Sequence, residues 1–318
     1  MIDFNTLNEM LTYCRPHGSD EVAQFVDRFI MSDPTASVDE FGNIVIIVGA
    51  DRSLHRNERS DDLPRTLFTS HVDSVHRLGG RQTISVDTNG VISLSKDSVE
   101  SNCLGADDAS GVWLMLAMIE CGVEGVYIFH QGEERGGLGS RFIASHYPKF
   151  LSSFDRAIAF DRHGTGDVIT HQATGRCCSD AFAEQLSKEL GGEYAPCDAG
   201  VYTDTAEYTH IIPECTNISV GYEREHSTSE TQCTTHLIAL LVHLVRIDFD
   251  KLPTNRNPSS VEPTSDYWDM SGQYMADIYA NESLDQLIGK MDEDLAYDIV
   301  DNDPDTAVAL LMLLTGRS

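Results

Sequence analysis

Basic residues are scarce in this sequence: 22 lysines and arginines stand against 51 aspartates and glutamates, a formal net charge of −29. That imbalance argues against nucleic acid or an anionic membrane surface as the main partner, because a phosphate backbone is met by a basic footprint. It is compatible with binding cations, although acidity more often serves solubility. Long apolar runs are missing too. No stretch approaches the roughly 18–20 residues that cross a bilayer, and Met1-Ile2-Asp3-Phe4 carries no basic segment followed by an apolar one. A soluble, cytoplasmic protein is expected. The eight cysteines, at 14, 103, 121, 177, 178, 197, 215 and 233, show no C-x-x-C spacing; reduced, packed thiols are expected. No repeat or low-complexity stretch is present.

What is present is a globular chain, 41% hydrophobic over 318 residues, enough for a sizeable core. Residues 21–31 place Val22, Phe25, Val26, Phe29 and Ile30 at helical spacing. "NIVIIV" (43–48) reads as a buried strand and 50–64 as a polar loop. "TLFTSH" (66–71), "GVYIFH" (125–130), "RAIAFD" (156–161) and "TNISVGY" (216–222) read as strands. Helices are expected over 111–121, 179–190 and 234–249, the second opened by a Ser-Asp cap. "TISVDTNGVISLS" (83–95) is a hairpin around Asn89-Gly90. Short apolar strands alternating with helices predict an α/β three-layer sandwich, its mixed, largely parallel central sheet flanked by helices. This α/β domain is expected over 1–250. Residues 251–318 are expected to form a linker and an acidic, helical C-terminal extension, with helices near 266–280, 283–291 and 304–314.

In open α/β sheets ligands bind beyond the carboxyl ends of the strands, and here those ends are rich in chemistry. His71 and Asp73 follow one strand, His130 to Glu134 another, Asp161 a third, and Glu223 to His226 a fourth. "GADDASG" (105–111) sets Asp107 and Asp108 at a helix entry. Taken singly, each has an ordinary explanation. The Asp pair can cap the helix, Asp161 can be a turn residue and His226 a surface histidine. Together they crowd negative charge onto one edge with few basic residues nearby, and a divalent metal is the economical counter-charge. Histidine and carboxylate without cysteine suit Zn²⁺, with Co²⁺ or Mn²⁺ as alternatives.

The ordered series "HVD", "GADDASG", "GEE", "FD" and "EHSTSE", between Leu67 and Glu230, resembles the co-catalytic dizinc exopeptidases, the superfamily of zinc aminopeptidases and glutamate carboxypeptidase-like enzymes. "TDTAEY" (203–208) and the strand after Pro213 resemble its aminopeptidase-like branch. The resemblance implies two divalent metal ions. Asp107 would bridge them, with Asp108 as the rival for that place or a buttress for His71. His71 and Asp161 would complete one site, and Glu134 and His226 the other. Asp73 would hold the His71 imidazole in its tautomer. Glu133 would be the general base for water acidified by the metals.

The stretch 162–215 is too short for a separate lid or dimerisation domain, which favours the single-domain branch. His163 and His171 stand as substrate contacts or ordinary loop histidines. The resemblance implies a hydrolase releasing a terminal amino acid, foremost an aminopeptidase, acting on peptide or acyl-amino-acid substrates. A carboxypeptidase or N-acyl amino acid deacylase with the same centre is the alternative, and a metal-free binding protein on the same fold a remoter one. Glu207, Glu223 and Glu225 are candidates to receive a substrate amine. A homo-oligomer is left open.

Overall fold

The computed structural model describes residues 3–49, 63–172 and 175–260. The polar loop expected at 50–64, but for its last two residues, and the three helices expected beyond 265 lie outside the described residues.

An eight-stranded sheet organises the chain. In chain order its strands are β1 (Ser37–Val38), β2 (Ile44–Val48), β3 (Thr66–His71), β4 (Gly125–His130), β5 (Arg156–Arg162), β6 (Asp167–Ile169), β7 (Ala195–Cys197) and β8 (Glu214–Ser219). Their spatial order is β7-β6-β8-β5-β3-β4-β2-β1. The central four, β8, β5, β3 and β4, run parallel. β6 meets β8, and β2 meets β4, antiparallel. The sheet is therefore mixed, with a parallel heart, as the strand-helix rhythm predicts.

Both faces are covered, and strand alternation divides the side chains between two cores. Leu67, Val126, Ile128, Ala157 and Cys215 enter one. Their neighbours Phe68, Tyr127, Phe129, Ile158 and Phe160 enter the other, beneath the helix α2 (Ala106–Glu120). Phe68 anchors this second layer, with ring centroids 5.0 Å from Tyr127 and 5.8 Å from Phe160. Each such ring contributes about 1.5–3 kcal/mol through burial. α2 can approach the sheet closely because Gly111 lacks a side chain; a β-carbon there would run into the Phe160 carbonyl oxygen.

The helix expected at 21–31 forms as α1 (Asp20–Phe25), capped by Ser19, and continues through a π-type turn over Val26–Ile30. α3 (Leu138–His146) follows β4, and α4 (Asp180–Leu190) begins at the expected Ser179 cap. The helix expected to reach residue 249 instead stops at Leu244 (α5, Thr234–Leu244). Beyond it Ile247 and Phe249 turn inward, Phe249 meeting Phe68 edge-on at 5.0 Å. Burial of these two side chains outweighs continuing the helix.

The hairpin Ile84–Val86/Val91–Leu94 forms as read and pairs onward with Thr231–Cys233 and Tyr222–Glu223 in a separate four-stranded sheet. That sheet frames the loop bearing His226. Residues 252–256 lie against the main sheet. Buried Arg156 donates to the Leu252 carbonyl and the Thr254 hydroxyl, and buried Glu214 accepts from the Asn255 and Arg256 amides. All eight cysteines are free. Among the described residues no helix is long and apolar enough to cross a membrane.

Candidate metal centre

The parallel strands β3, β4 and β5 all deliver their carboxyl ends to one edge. His71 closes β3, in register with His130 of β4. Asp161 stands near the end of β5. After β4 the chain turns at Gly132, in left-handed backbone, into a short 3-10 turn holding Glu133 and Glu134. α2 starts beside this edge. His226 arrives from the loop after Tyr222–Glu223 and itself has positive φ, 61°.

Two groups of three donors form there, sharing one residue. His71, Asp107 and Asp161 make the first, and Asp107, Glu134 and His226 the second; within each group the donor atoms lie within 4.8 Å of one another. Asp107 Oδ1 is 3.0 Å from His71 Nε2, and its Oδ2 is 3.1 Å from His226 Nε2. Asp161 Oδ1 is 3.5 Å from His71 Nε2. Glu134 Oε1 is 3.4 Å from His226 Nε2 and is buried without a hydrogen-bond partner. One carboxylate thus presents one oxygen to each group.

The Asp pair serves two purposes at once. The Asp107–Asp108 peptide is cis, and neither residue has helical backbone angles. Asp108 Oδ1 accepts the Gly111 amide at 2.9 Å, the bond of a helix cap. Its Oδ2 accepts the Ser70 hydroxyl and the His71 amide. Capping and buttressing of the His71 strand therefore fall to Asp108, while Asp107 faces both histidines.

Asp73 is fully buried and ties two parts of the edge. Its carbonyl lies 3.2 Å from His71 Nδ1 and its Oδ1 3.7 Å from the same atom. That Oδ1 also accepts the amides of Gly132 and Glu133. Glu133 stands apart from both donor groups, with Oε2 4.0 Å from His71 Nε2. Asp161 is oriented by Thr203, whose hydroxyl donates at 2.7 Å, and by the Tyr222 hydroxyl at 3.0 Å.

A scan against protein-family models matches residues 54–211 to Peptidase family M28. That span carries the "HVD", "GADDASG", "GEE" and "FD" motifs. Residues 54–211, just under half of the chain, thus match a family of the zinc exopeptidase kind that the motif series resembles. Among solved structures the chain is similar to aminopeptidase PepT of Bacillus cereus, at 15% identity over 76% of this chain and 96% of that one, TM-score 0.59. It is similar to the Pyrococcus horikoshii TET1 peptidase at 17% identity over 77% and 99%, TM-score 0.54. A Staphylococcus aureus tripeptidase matches at 16% over 76% and 95%, TM-score 0.54. At these identities the likeness is one of fold. No curated protein sequence matches.

The Peptidase family M28 match supports a metal-dependent peptidase, and the donor groups fit cations. Without them the edge is electrostatically overloaded. Burial, then the nearby Asp107 charge, pushes the Asp161 and Glu134 carboxyls up. Burial does the same to Glu133, well above the usual carboxylate range, against the pull of His71. The histidines move the other way. Burial alone would lower His71, but Asp107, Asp161 and Asp73 outweigh it and hold it well above its ordinary value. The hydrogen bond to Asp107, and then the Glu134 carboxyl close by, push His226 up to about 11. An orphaned carboxylate oxygen, two acid-bound histidines and clustered carboxylates are a donor set suited to divalent metal.

A cavity of about 350 Å³ opens over the edge, lined on the charged side by Glu133, Glu134, Asp161, Glu225 and His226. Ile169, Gly200, Val201 and Tyr202 form an apolar wall. His163 lines it and pairs with Glu225 at 2.7 Å, whereas His171 is not among the lining residues. Of the three acids considered for a substrate amine, Glu225 lines the cavity. Glu207 is elsewhere, bonded to the Tyr202 hydroxyl and Arg141.

Several supporting residues lie inside the quoted stretches without a role assigned to them there. Glu230, 1% exposed, accepts the amides of Leu104, Gly105 and Asp107. His130 joins the Tyr208 hydroxyl at 2.6 Å to Asp204 at 3.2 Å in a buried row. Their signal in the sequence is their place in "EHSTSE", in "TDTAEY" and at the end of "GVYIFH", which does not name a partner.

Proposed function

We propose that this chain is a dimetal, zinc-using aminopeptidase that removes the first residue of a peptide. The observation carrying this reading is Asp107, one oxygen beside each histidine, at the centre of two three-donor groups. His71, Asp107 and Asp161 would hold one ion and Asp107, Glu134 and His226 the other. Bound there, the ions supply Lewis acidity and an acidified water.

The chain's own residues do the rest. Glu133 lies next to the donor groups without belonging to either, in a buried setting that raises its proton affinity. It takes the proton of the attacking water and hands it to the leaving amine. Asp73 holds the Glu133 turn through two amide bonds, which fixes where that proton is taken. Glu225 offers a carboxylate on the cavity wall for the substrate ammonium. Arg162 also lines the cavity, but its Nε and Nη2 both reach Asp167 at 3.0 Å. Glu225 is also engaged, by His163 at 2.7 Å, but a carboxylate keeps further acceptor sites for an ammonium, which favours free-amine recognition.

The test is metal analysis of the purified protein followed by a panel of aminoacyl p-nitroanilides and N-acyl amino acids. Two zinc equivalents with turnover of free-amine substrates alone is the expected result. Turnover confined to N-blocked substrates overturns the aminopeptidase assignment. The TET1 peptidase assembles into a tetrahedron or a large octahedral shell, and we propose a homo-oligomer here too, to be read by light scattering.

A further inference from the structure

Arg15 belongs to neither donor group and to none of the motifs, yet it is buried under the centre. Its side chain is 0% exposed. Nε donates to the Val72 carbonyl at 2.9 Å, and Nη2 to the Gly105 carbonyl at 3.0 Å. Val72 separates His71 from Asp73, and Gly105 lies two residues before Asp107. One guanidinium fork therefore spans the two backbone segments that carry His71 and Asp107.

The grip on each segment is doubled. The Arg15 carbonyl accepts the Ser74 amide at 2.9 Å, so main chain and side chain both hold residues 72–74. The Gly105 residue is held from both sides, its amide by Glu230 Oε2 at 3.0 Å and its carbonyl by Arg15. A buried carboxyl group and a buried guanidinium thus clamp the loop entering Asp107.

Desolvating a guanidinium is costly unless the surroundings repay it. Here the direct partners are two carbonyls and the Phe25 ring, 4.6 Å from Cζ, and Nη1 has no hydrogen-bond partner. Packing needs alone would be met more cheaply by an apolar side chain. What a cation adds is charge: Asp73, Asp108 and Glu230 all act on it, and all three support residues at the centre.

We propose that Arg15 is a positioning residue for the metal centre. It sets the separation between the His71 and Asp107 segments and offsets the carboxylates beneath them. This rests on the dimetal reading above. Removing an outer partner of a metal ligand costs about 10- to 100-fold in affinity, and Arg15 acts on ligands of both groups.

The test compares wild type, Arg15→Met and Arg15→Lys, each confirmed as folded by circular dichroism, in zinc competition against a chromophoric chelator. Cobalt-loaded protein gives a second readout in its visible absorption. Arg15→Met is expected to weaken zinc binding at least tenfold and to change the cobalt spectrum. Arg15→Lys, which keeps the charge but loses the fork, is expected to fall between. If Arg15→Met fails to fold, Arg15→Lys decides: weakened zinc binding supports the proposal. Folded variants with wild-type zinc affinity and cobalt spectra overturn it, leaving Arg15 as packing. Wild type that binds no metal overturns the dimetal reading instead.

Discussion

Replacing Glu133 by glutamine separates proton transfer from metal binding, because the structure puts this side chain next to both donor groups and inside neither. Its Oε2 is 4.0 Å from His71 Nε2, while the shared Asp107 oxygens lie 3.0 and 3.1 Å from the two histidines. Glutamine keeps the shape and the backbone bonds to Asp73, which are made by the Gly132 and Glu133 amides. It cannot accept the water proton. A positioned general base contributes about 10²- to 10⁴-fold, so kcat should drop by that factor, roughly 3–5 kcal/mol of activation free energy.

Folding should not suffer. Burial raises the Glu133 carboxyl well above its ordinary value. Any stability the acid contributes is present only when protonated, below its unfolded pKa, and is lost as pH rises through the raised folded one. At neutral pH the variant should therefore melt no lower than its parent. The assays are steady-state kinetics on an aminoacyl p-nitroanilide, metal content by mass spectrometry, and a thermal melt. A folded variant with full metal content and less than a tenfold loss of kcat refutes the base assignment. Loss of metal would instead place Glu133 among the ligands.

Other perturbations probe the remaining links. Asp107→Ala should lower the content of both metals, whereas His226→Ala should remove one equivalent and leave the other; equal losses from both would refute the shared-carboxylate geometry. Because metal-free His226 is pushed up to about 11, it carries a proton at pH 7 that metal must displace, and His71 is shifted in the same direction. Zinc binding should release protons and weaken as pH falls, which calorimetry in buffers of different ionisation enthalpy will read; binding without proton release would contradict it. Gly111→Ala forces a β-carbon against the Phe160 carbonyl and should destabilise the fold by about 1–3 kcal/mol in urea unfolding. Glu214→Ala removes the acceptor of the Ser179, Asn255 and Arg256 amides and should cost at least about 1–3 kcal/mol in the same assay.

Much of the architecture was legible because burial on both faces leaves a simple imprint. "TLFTSH", "GVYIFH" and "RAIAFD" are short apolar runs ending in polar residues, and each became a parallel strand with its last polar residues at the site edge. Strand order was not legible, since pairing is settled between segments distant in the chain. The end of α5 was missed because apolar periodicity continues past Leu244, while Ile247 and Phe249 pack inward only in the assembled core.

The sequence by itself determined which side chains are available for chemistry: His71, Asp73, Asp107, Glu133, Glu134, Asp161 and His226, each at a strand or helix boundary where an apolar run stops. It could not divide the Asp107–Asp108 pair, because two adjacent carboxylates look alike until neighbours arrive. Tertiary structure divides them. Ser70, His71 and Gly111 occupy Asp108, and Asp107 is left facing two histidines from opposite sides. It also decides what lies underneath. Arg15 and Glu230, distant in sequence, reach the centre only because the fold brings the first segment and the last hairpin partner beneath one edge of the sheet. Chemistry type is written locally in residue identity, but the partner of each group depends on long-range contacts that no window of sequence contains.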